Sequence, residues 1–221
     1  MEPPARGDRA DEMALRAEIV AACHEMQRNG LTQGMSGNIS VRCGDIMLIT
    51  PSALPYDLMS PVDIVVVSLV DERPVRGAHP PSSEWHFHYD ILCQRPEFGA
   101  VVHAHPRQCT ALAMARRGLP PCHYMIASFG GDDVRCAPYA TFGTPDLSAV
   151  ALDALVGRQA CLLANHGMIA CGGDLRQAMW RAVELEALAG QYLASLAAGG
   201  PVLLTGAEIA AAVARFEGYG R

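Results

Sequence analysis

Ala100-Val101-Val102-His103-Ala104-His105-Pro106 is the stretch on which both the fold and the chemistry turn. Apolar residues alternate with the histidines in a β-branched window that stops at a proline, which predicts a strand ending in two imidazoles. Residues two apart on a strand share a face, with Cα atoms about 6.5 to 7 Å apart. His103 and His105 can therefore approach one ion at the roughly 2.0 to 2.1 Å that an imidazole nitrogen prefers. A catalytic zinc usually takes three protein ligands. The candidate third is His166, in the turn Asn165-His166-Gly167 that follows the apolar run Cys161-Leu162-Leu163-Ala164. An isolated His-x-His pair is more often a hydrogen-bonded surface or core feature, and it is the company of Glu84 and His166 that favours a metal here.

With 221 residues, the chain can build one sizeable core, and one α/β domain is expected over two small ones. No apolar run approaches the ~20 residues of a spanning helix, and the first residues lack the apolar core of a signal peptide, so no membrane partner and a cytoplasmic location are expected. The eight cysteines show no C-x-x-C spacing and fall mostly in apolar segments, as reduced core side chains do. A net charge of −6 without clustered Lys or Arg argues against a nucleic-acid partner. Any anionic ligand must then be held by local groups.

Residues 1–10 read as a loose tail, and residues 11–221 as one domain. From Asp11, the apolar positions Met13, Ile19, Val20, Cys23 and Met26 predict a helix that ends at Gly30. Gly34-Met35-Ser36-Gly37-Asn38 is a glycine-rich turn into a strand through Val41. A second strand, Ile46–Thr50, leads to the turn Pro51-Ser52-Ala53. Such turns either serve chain reversal alone or point backbone N–H groups at an anion, with Asn38, Thr50 and Ser52 adding side-chain donors. Ile64–Val70 reads as a central strand. After Pro80-Pro81, the residues Ser82, Ser83 and Glu84 open a helix carrying Trp85, His88, Ile91 and Leu92 at helical spacing. The serines either only cap that helix or bind phosphate at its N-terminus. His24, His79, His86, His88 and His123 read as ordinary histidines. Further on, the pattern predicts a helix over Gln108–Arg117, a strand or extended segment over His123–Ala127, a helix from Thr144-Pro145 to Gly157, a helix opened by Asp174, and a last helix from Glu208 to Phe216. Strands alternating with helices support one layered α/β domain.

Taken together, the motifs Gln33–Ser40, Leu48–Ser52, Pro81–Trp85, Val102–His105, His123–Ala127, Tyr139–Thr144 and Asn165–Gly167 resemble those of the class II aldolase/adducin family, closest to its fuculose-phosphate aldolase branch, over nearly the whole chain. The resemblance implies a single three-layer domain with a central, largely antiparallel sheet flanked by helices. It also implies one Zn2+ per chain, or another divalent ion, on His103, His105 and His166, with Glu84 as a fourth ligand at rest and the acid/base in turnover. By the same resemblance Gly37, Asn38, Ser52, Ala53, Ser82 and Ser83 would hold a substrate phosphate, Tyr124 and Tyr219 would reach the aldehyde side as catalytic groups, and Phe142 would shape the aldehyde pocket. A homotetramer with active sites at subunit interfaces is implied as well. The chain departs from the pattern at Ala53, where the phosphate turn usually has glycine, and at Met35, where close relatives carry a small or hydroxyl residue; Ala53 matters to the backbone only if its φ is positive.

The activity this implies is zinc-dependent cleavage of a ketose 1-phosphate to dihydroxyacetone phosphate and an aldehyde. L-Fuculose 1-phosphate and the 5-deoxy or 5-methylthio pentulose 1-phosphates are the expected substrates. Alternatives on the same fold are a pentulose-5-phosphate 4-epimerase, a sugar-phosphate dehydratase and a non-catalytic adducin-like interaction domain. Four convergent candidate ligands argue against the last.

Overall fold

A helix needs a buried stripe more than it needs a strong first turn, and α1, Arg6–Arg28, shows both halves of that statement in the computed structural model, which describes residues 6–216. Ile19, Cys23 and Met26 are buried, and the chain leaves the helix at Gly30, where φ is +67°. Residues 6–10, expected in a loose tail, are already helical, because added turns cost little once the packed part has formed. Residues 1–5 lie outside the described residues. The expected stripe is wrong at its start. Met13 faces solvent and Glu12 and Arg16 are buried instead, paired at 2.8 Å, with Arg16 also donating to the carbonyls of Pro61 and Ile64. A salt bridge that also serves backbone carbonyls can occupy a place that periodicity assigns to an apolar side chain.

The chain continues through β1 Asn38–Cys43, β2 Ile46–Ile49, β3 Val65–Ser68 and β4 Arg73–Arg76 to α2 Trp85–Gln94, β5 Ala100–Ala104 and α3 Arg107–Met114. A 3₁₀ helix, Tyr124–Phe129, precedes β6 Cys136–Ala137, α4 Pro145–Ala154, β7 Ala160–Leu163, β8 Gly167–Gly172, α5 Leu175–Ala197 and α6 Gly206–Phe216. One sheet has the order β4-β3-β2-β1-β5-β8-β7-β6, antiparallel except where β6 runs parallel to β7. Period-two alternation assigns the two faces. Ile39, Val41, Val102 and Ala104 join a core with α1, α3 and α5, while Met47, Val101, Cys161 and Ile169 join a second core with α2 and α4. This is the three-layer α/β arrangement expected from the sequence. Cys23, Cys109, Cys161 and Cys171 are buried side chains of these cores.

Three expectations about elements need correction. The run Ile64–Val70 does not make a central strand: β3 lies next to the edge strand β4 and stops at Ser68, whose Oγ accepts from Val70 N and Asp71 N and so bends the chain. The edge it adjoins is short, exposed and built from Arg73-Pro74-Val75-Arg76, which discourages pairing with another sheet. His123–Ala127 is not extended. His123 Nδ1 accepts from Met125 N, Ser128 donates to Met125 O, and Gly130 at φ +93° ends the 3₁₀ helix that these bonds stabilise. Finally, neither Ser82 nor Ser83 is the N-cap of α2. Glu84 takes the cap position, while Ser82 N donates to Thr50 O at 3.0 Å and Ser82 Oγ accepts from Glu84 N.

Ile169 is fully buried on β8, between β5 and β7, and it stands opposite His103 in the β5–β8 register. Ile169→Ala is expected to lower unfolding free energy by about 2–5 kcal/mol in a denaturant titration. A loss below about 1 kcal/mol would mean that the α2/α4 layer does not close on this strand as described.

Candidate metal centre and adjoining cleft

Register brings the first ligand into place. Antiparallel pairing of β1 with β5 sets Asn38 opposite His103, and pairing of β5 with β8 sets Met168 opposite Ala104. His103 is fully buried, and its Nδ1 donates to Met168 O at 2.9 Å, which leaves Nε2 as a bare lone pair. That nitrogen lies 2.9 Å from Nε2 of His105, the first residue after β5. His166 completes the group, the ligand nitrogens of the three histidines all lying within 4.8 Å of one another. The turn that presents His166 depends on Asn165, whose φ is +56° and whose N–H donates to Ala113 O. Asparagine tolerates this left-handed geometry better than most residues. A Cβ on Gly167 would come within 2.5 Å of Ala104 O and of the His105 ring, so only glycine fits behind the cluster.

Glu84 stands beside it. Its Oε2 lies 3.2 Å from His103 Nε2 and its Oε1 3.2 Å from His166 Nε2, and the Oε1 atom is buried with no hydrogen-bond partner. Burial alone raises the carboxyl pKa, but the neighbouring His103 and His166 outweigh it and hold Glu84 well below the usual carboxylate range. Burial, reinforced by the other two imidazoles, pushes His105 down to about 3. Three imidazole nitrogens facing one point and a carboxylate with an unused oxygen form a donor set that fits a divalent cation.

A cleft of about 400 Å³ opens onto this cluster. All six expected phosphate ligands line it: Gly37, Asn38, Ser52, Ala53, Ser82 and Ser83, together with Glu84, His105, His166 and Phe142. Its two halves are tied by backbone bonds from Ser82 N to Thr50 O and from Ser52 N to Pro80 O. Gly37 admits no side chain because a Cβ there would meet His103 O at 2.9 Å, and its carbonyl accepts from the buried Tyr56 hydroxyl. Among the described residues, no Lys or Arg lines the cleft. Ala53 adopts φ +56°, so the departure from glycine puts an L residue in the left-handed region.

Tyr124 is not in this cleft. Tyr124 is 55% exposed and lines a separate cavity with Trp180, Arg215 and Phe216, its ring stacked on Phe216 at 6.4 Å. Tyr219 lies outside the described residues. Conversely, reading the sequence overlooked His88. It is fully buried, with Nδ1 2.7 Å from Ser40 Oγ and Nε2 2.5 Å from Asn38 Oδ1. The available signal was its place three residues before Ile91 on the apolar stripe of α2, where an imidazole has to find partners inside the protein.

The model of the class II aldolase and adducin N-terminal domain matches residues 17–193. A 5-methylthioribulose-1-phosphate/5-deoxyribulose-1-phosphate aldolase of Rhodospirillum rubrum is 48% identical over 94% of this chain and 93% of its own length. The L-fuculose phosphate aldolase of Escherichia coli K12 is 46% identical over 93% of this chain and 95% of its own. A solved L-fuculose 1-phosphate aldolase superposes with a TM-score of 0.88 at 38% identity, covering 91% of this chain and 95% of that one.

Ala53→Gly should raise stability by about 0.5–1 kcal/mol, since relief of the left-handed alanine outweighs the entropy lost in ordering a glycine. Urea unfolding reads this, and a destabilised variant would show that the turn does not hold the positive φ.

Proposed function

The chain belongs to the class II aldolase and adducin family, and on that premise we propose that it splits a ketose 1-phosphate into dihydroxyacetone phosphate and an aldehyde. It is a metal-dependent carbon–carbon lyase acting on a sugar phosphate. The reading takes 5-methylthio- and 5-deoxy-pentulose 1-phosphates and L-fuculose 1-phosphate as substrates, in keeping with the names of its relatives. One observation carries most weight: the histidine cluster and Glu84 share one cleft with a cup of neutral hydrogen-bond donors. An interaction domain has no use for such an arrangement.

In this proposal His103, His105 and His166 hold zinc, one ion per chain, with Glu84 as a fourth ligand at rest. When bound, the ion supplies Lewis-acid stabilisation of the negative charge that develops as the C3–C4 bond breaks. Glu84 is the acid/base at C3: its carboxylate removes a proton there in the synthetic direction, and in cleavage it first takes up one proton, matching the one that leaves the C4 hydroxyl, and delivers it to C3. The hydroxyls of Ser52, Ser82 and Ser83, the Asn38 amide and backbone N–H groups at Gly37 and Ala53 hold the phosphate. The start of α2, directly after Ser82–Glu84, adds the positive end of its dipole. Phe142, exposed at the cleft, borders the aldehyde side. Tyr124 takes the proton of the C4 hydroxyl, with Tyr219 beside it. Since Tyr124 is exposed and lines another cavity of its own chain, it serves the cleft of a neighbouring subunit, in a homotetramer with interfacial sites. Buried, unpaired cysteine thiols suit a reducing cytoplasm.

The test is a panel of ketose 1-phosphates and pentulose 5-phosphates assayed for release of dihydroxyacetone phosphate. Cleavage of one or more 1-phosphates is expected, with loss of orders of magnitude for the unphosphorylated ketose because several charge-assisted hydrogen bonds disappear. The same preparation should hold about one divalent ion per chain, and His103→Ala should lose both ion and turnover. Inversion of a pentulose 5-phosphate at C4 without cleavage of any 1-phosphate would replace the aldolase with an epimerase.

Subunit sharing has its own measurement. Inactive Tyr124→Phe and Glu84→Gln chains, mixed and reassembled, should recover part of the activity if the two side chains act from different subunits. A fully active monomer by light scattering, or no recovery on mixing, would remove the interfacial site.

A further inference from the structure

His88 lies outside both the cleft and the histidine cluster, yet it is joined to Glu84 through a continuous run of hydrogen bonds. Its direction follows from donor chemistry. A carboxylate only accepts, so the atom of Asn38 that stands 3.0 Å from Glu84 Oε2 is the amide nitrogen, Nδ2. The amide oxygen Oδ1 then faces His88, where Nε2 must be the donor at 2.5 Å. With that nitrogen protonated and the ring neutral, Nδ1 accepts from the Ser40 hydroxyl at 2.7 Å. Burial disfavours the charged ring and pushes its pKa down to about 3, with His103 adding to the effect and Glu84 opposing it. The run is therefore Ser40 O–H to His88, His88 Nε2–H to Asn38, and Asn38 N–H to Glu84.

We propose that His88 is a positioning residue for Glu84: its Nε2–H fixes the Asn38 amide with the nitrogen toward the carboxylate, and so sets where that carboxylate stands. The consequence is asymmetric. Without the His88 donor the amide is free to turn, and its oxygen toward Glu84 repels the carboxylate; Glu84 is then held only by His103 and His166. Asn38 also lines the cleft, so the residue that steadies Glu84 belongs to the wall of the candidate site. The kinetic consequence rests on the aldolase reading, whereas the hydrogen-bond run does not.

Two measurements test this. Nitrogen NMR of the wild-type protein, with and without zinc, is expected to show His88 protonated on Nε2 and bare on Nδ1 throughout about pH 5 to 8. A proton on Nδ1 overturns the proposal. In kinetics on the zinc-loaded enzyme, His88→Leu should lower kcat about 10- to 100-fold with KM changed much less, the cost usual for an outer partner of a metal site. His88→Gln offers an amide nitrogen and oxygen in place of the two ring nitrogens and should recover most of kcat. Asn38→Asp, which accepts from His88 but cannot donate to Glu84, should resemble His88→Leu. A folded His88→Gln as slow as His88→Leu, or Asn38→Asp with wild-type kcat, sinks the assignment. If no sugar phosphate is cleaved by any of these proteins, it is the aldolase reading that has failed, and NMR still decides the hydrogen-bond run.

Discussion

The pairing of β1 with β5 places Asn38 directly opposite His103, and the rest of the centre depends on that register. A slip of one residue would turn His103 into the α1/α3/α5 core and Val102 out of it, because strand side chains alternate faces. The register is secured from both sides. Ile39, Val41 and Val102 fill one core, while Asn38 and Ser40 face α2 through His88. Gly37 lies so close to the His103 carbonyl that no side chain could separate the two strands at the mouth of the cleft. Packing and hydrogen bonding thus act on the same few residues.

The second constraint is that, among the described residues, no lysine or arginine lines the cleft. A cationic side chain beside a divalent ion would repel it at short range, in a region where burial strengthens such terms. Neutral donors avoid this. In the proposed function, hydroxyls and backbone N–H groups stabilise the phosphate while the three imidazoles hold the ion, with the Glu84 carboxylate next to them. Two of the residues lining the cleft, Ala53 and Asn165, are held at φ +56°.

Much of this was legible in the chain because it is written in local patterns. His103 and His105 announce themselves by strand alternation ending in proline, and Thr144-Pro145 and Asp174 are side-chain caps that do what their residue types predict. What was not legible depends on distant partners. Ser82 and Ser83 look like helix caps until the backbone of Ser82 is seen to be used by Thr50, and Glu12 and Arg16 look exposed until they are seen to pair beneath the Pro61 and Ile64 carbonyls. His123–Ala127 has strand-forming residues, but His123, Ser128 and Gly130 bend it into a 3₁₀ helix. The β8 strand escaped notice because Gly167–Gly172 mixes glycine, alanine and cysteine with few β-branched residues, and only burial between β5 and β7 makes a strand of it.

The position of Tyr124 carries the argument beyond a single chain. A phenol that is more than half exposed, stacked on Phe216 and set in a cavity with Trp180 and three arginines, is not placed to act in the cleft of its own subunit. The described residues of the cleft include a phenol of their own, Tyr139, together with Glu84, His105 and His166. Glu84 is engaged between His103 and His166. On the proposed aldolase reading, the proton of the C4 hydroxyl goes to Tyr139 of the same cleft, to solvent, or to a residue of another subunit. An exposed phenol on a rigid, well-packed 3₁₀ helix is a suitable candidate, because the turn that projects it is fixed by the buried Ile126, Ala127 and Phe129. The part of the site that varies with the aldehyde would then lie where two copies of the chain meet, and the part common to all its substrates within each copy.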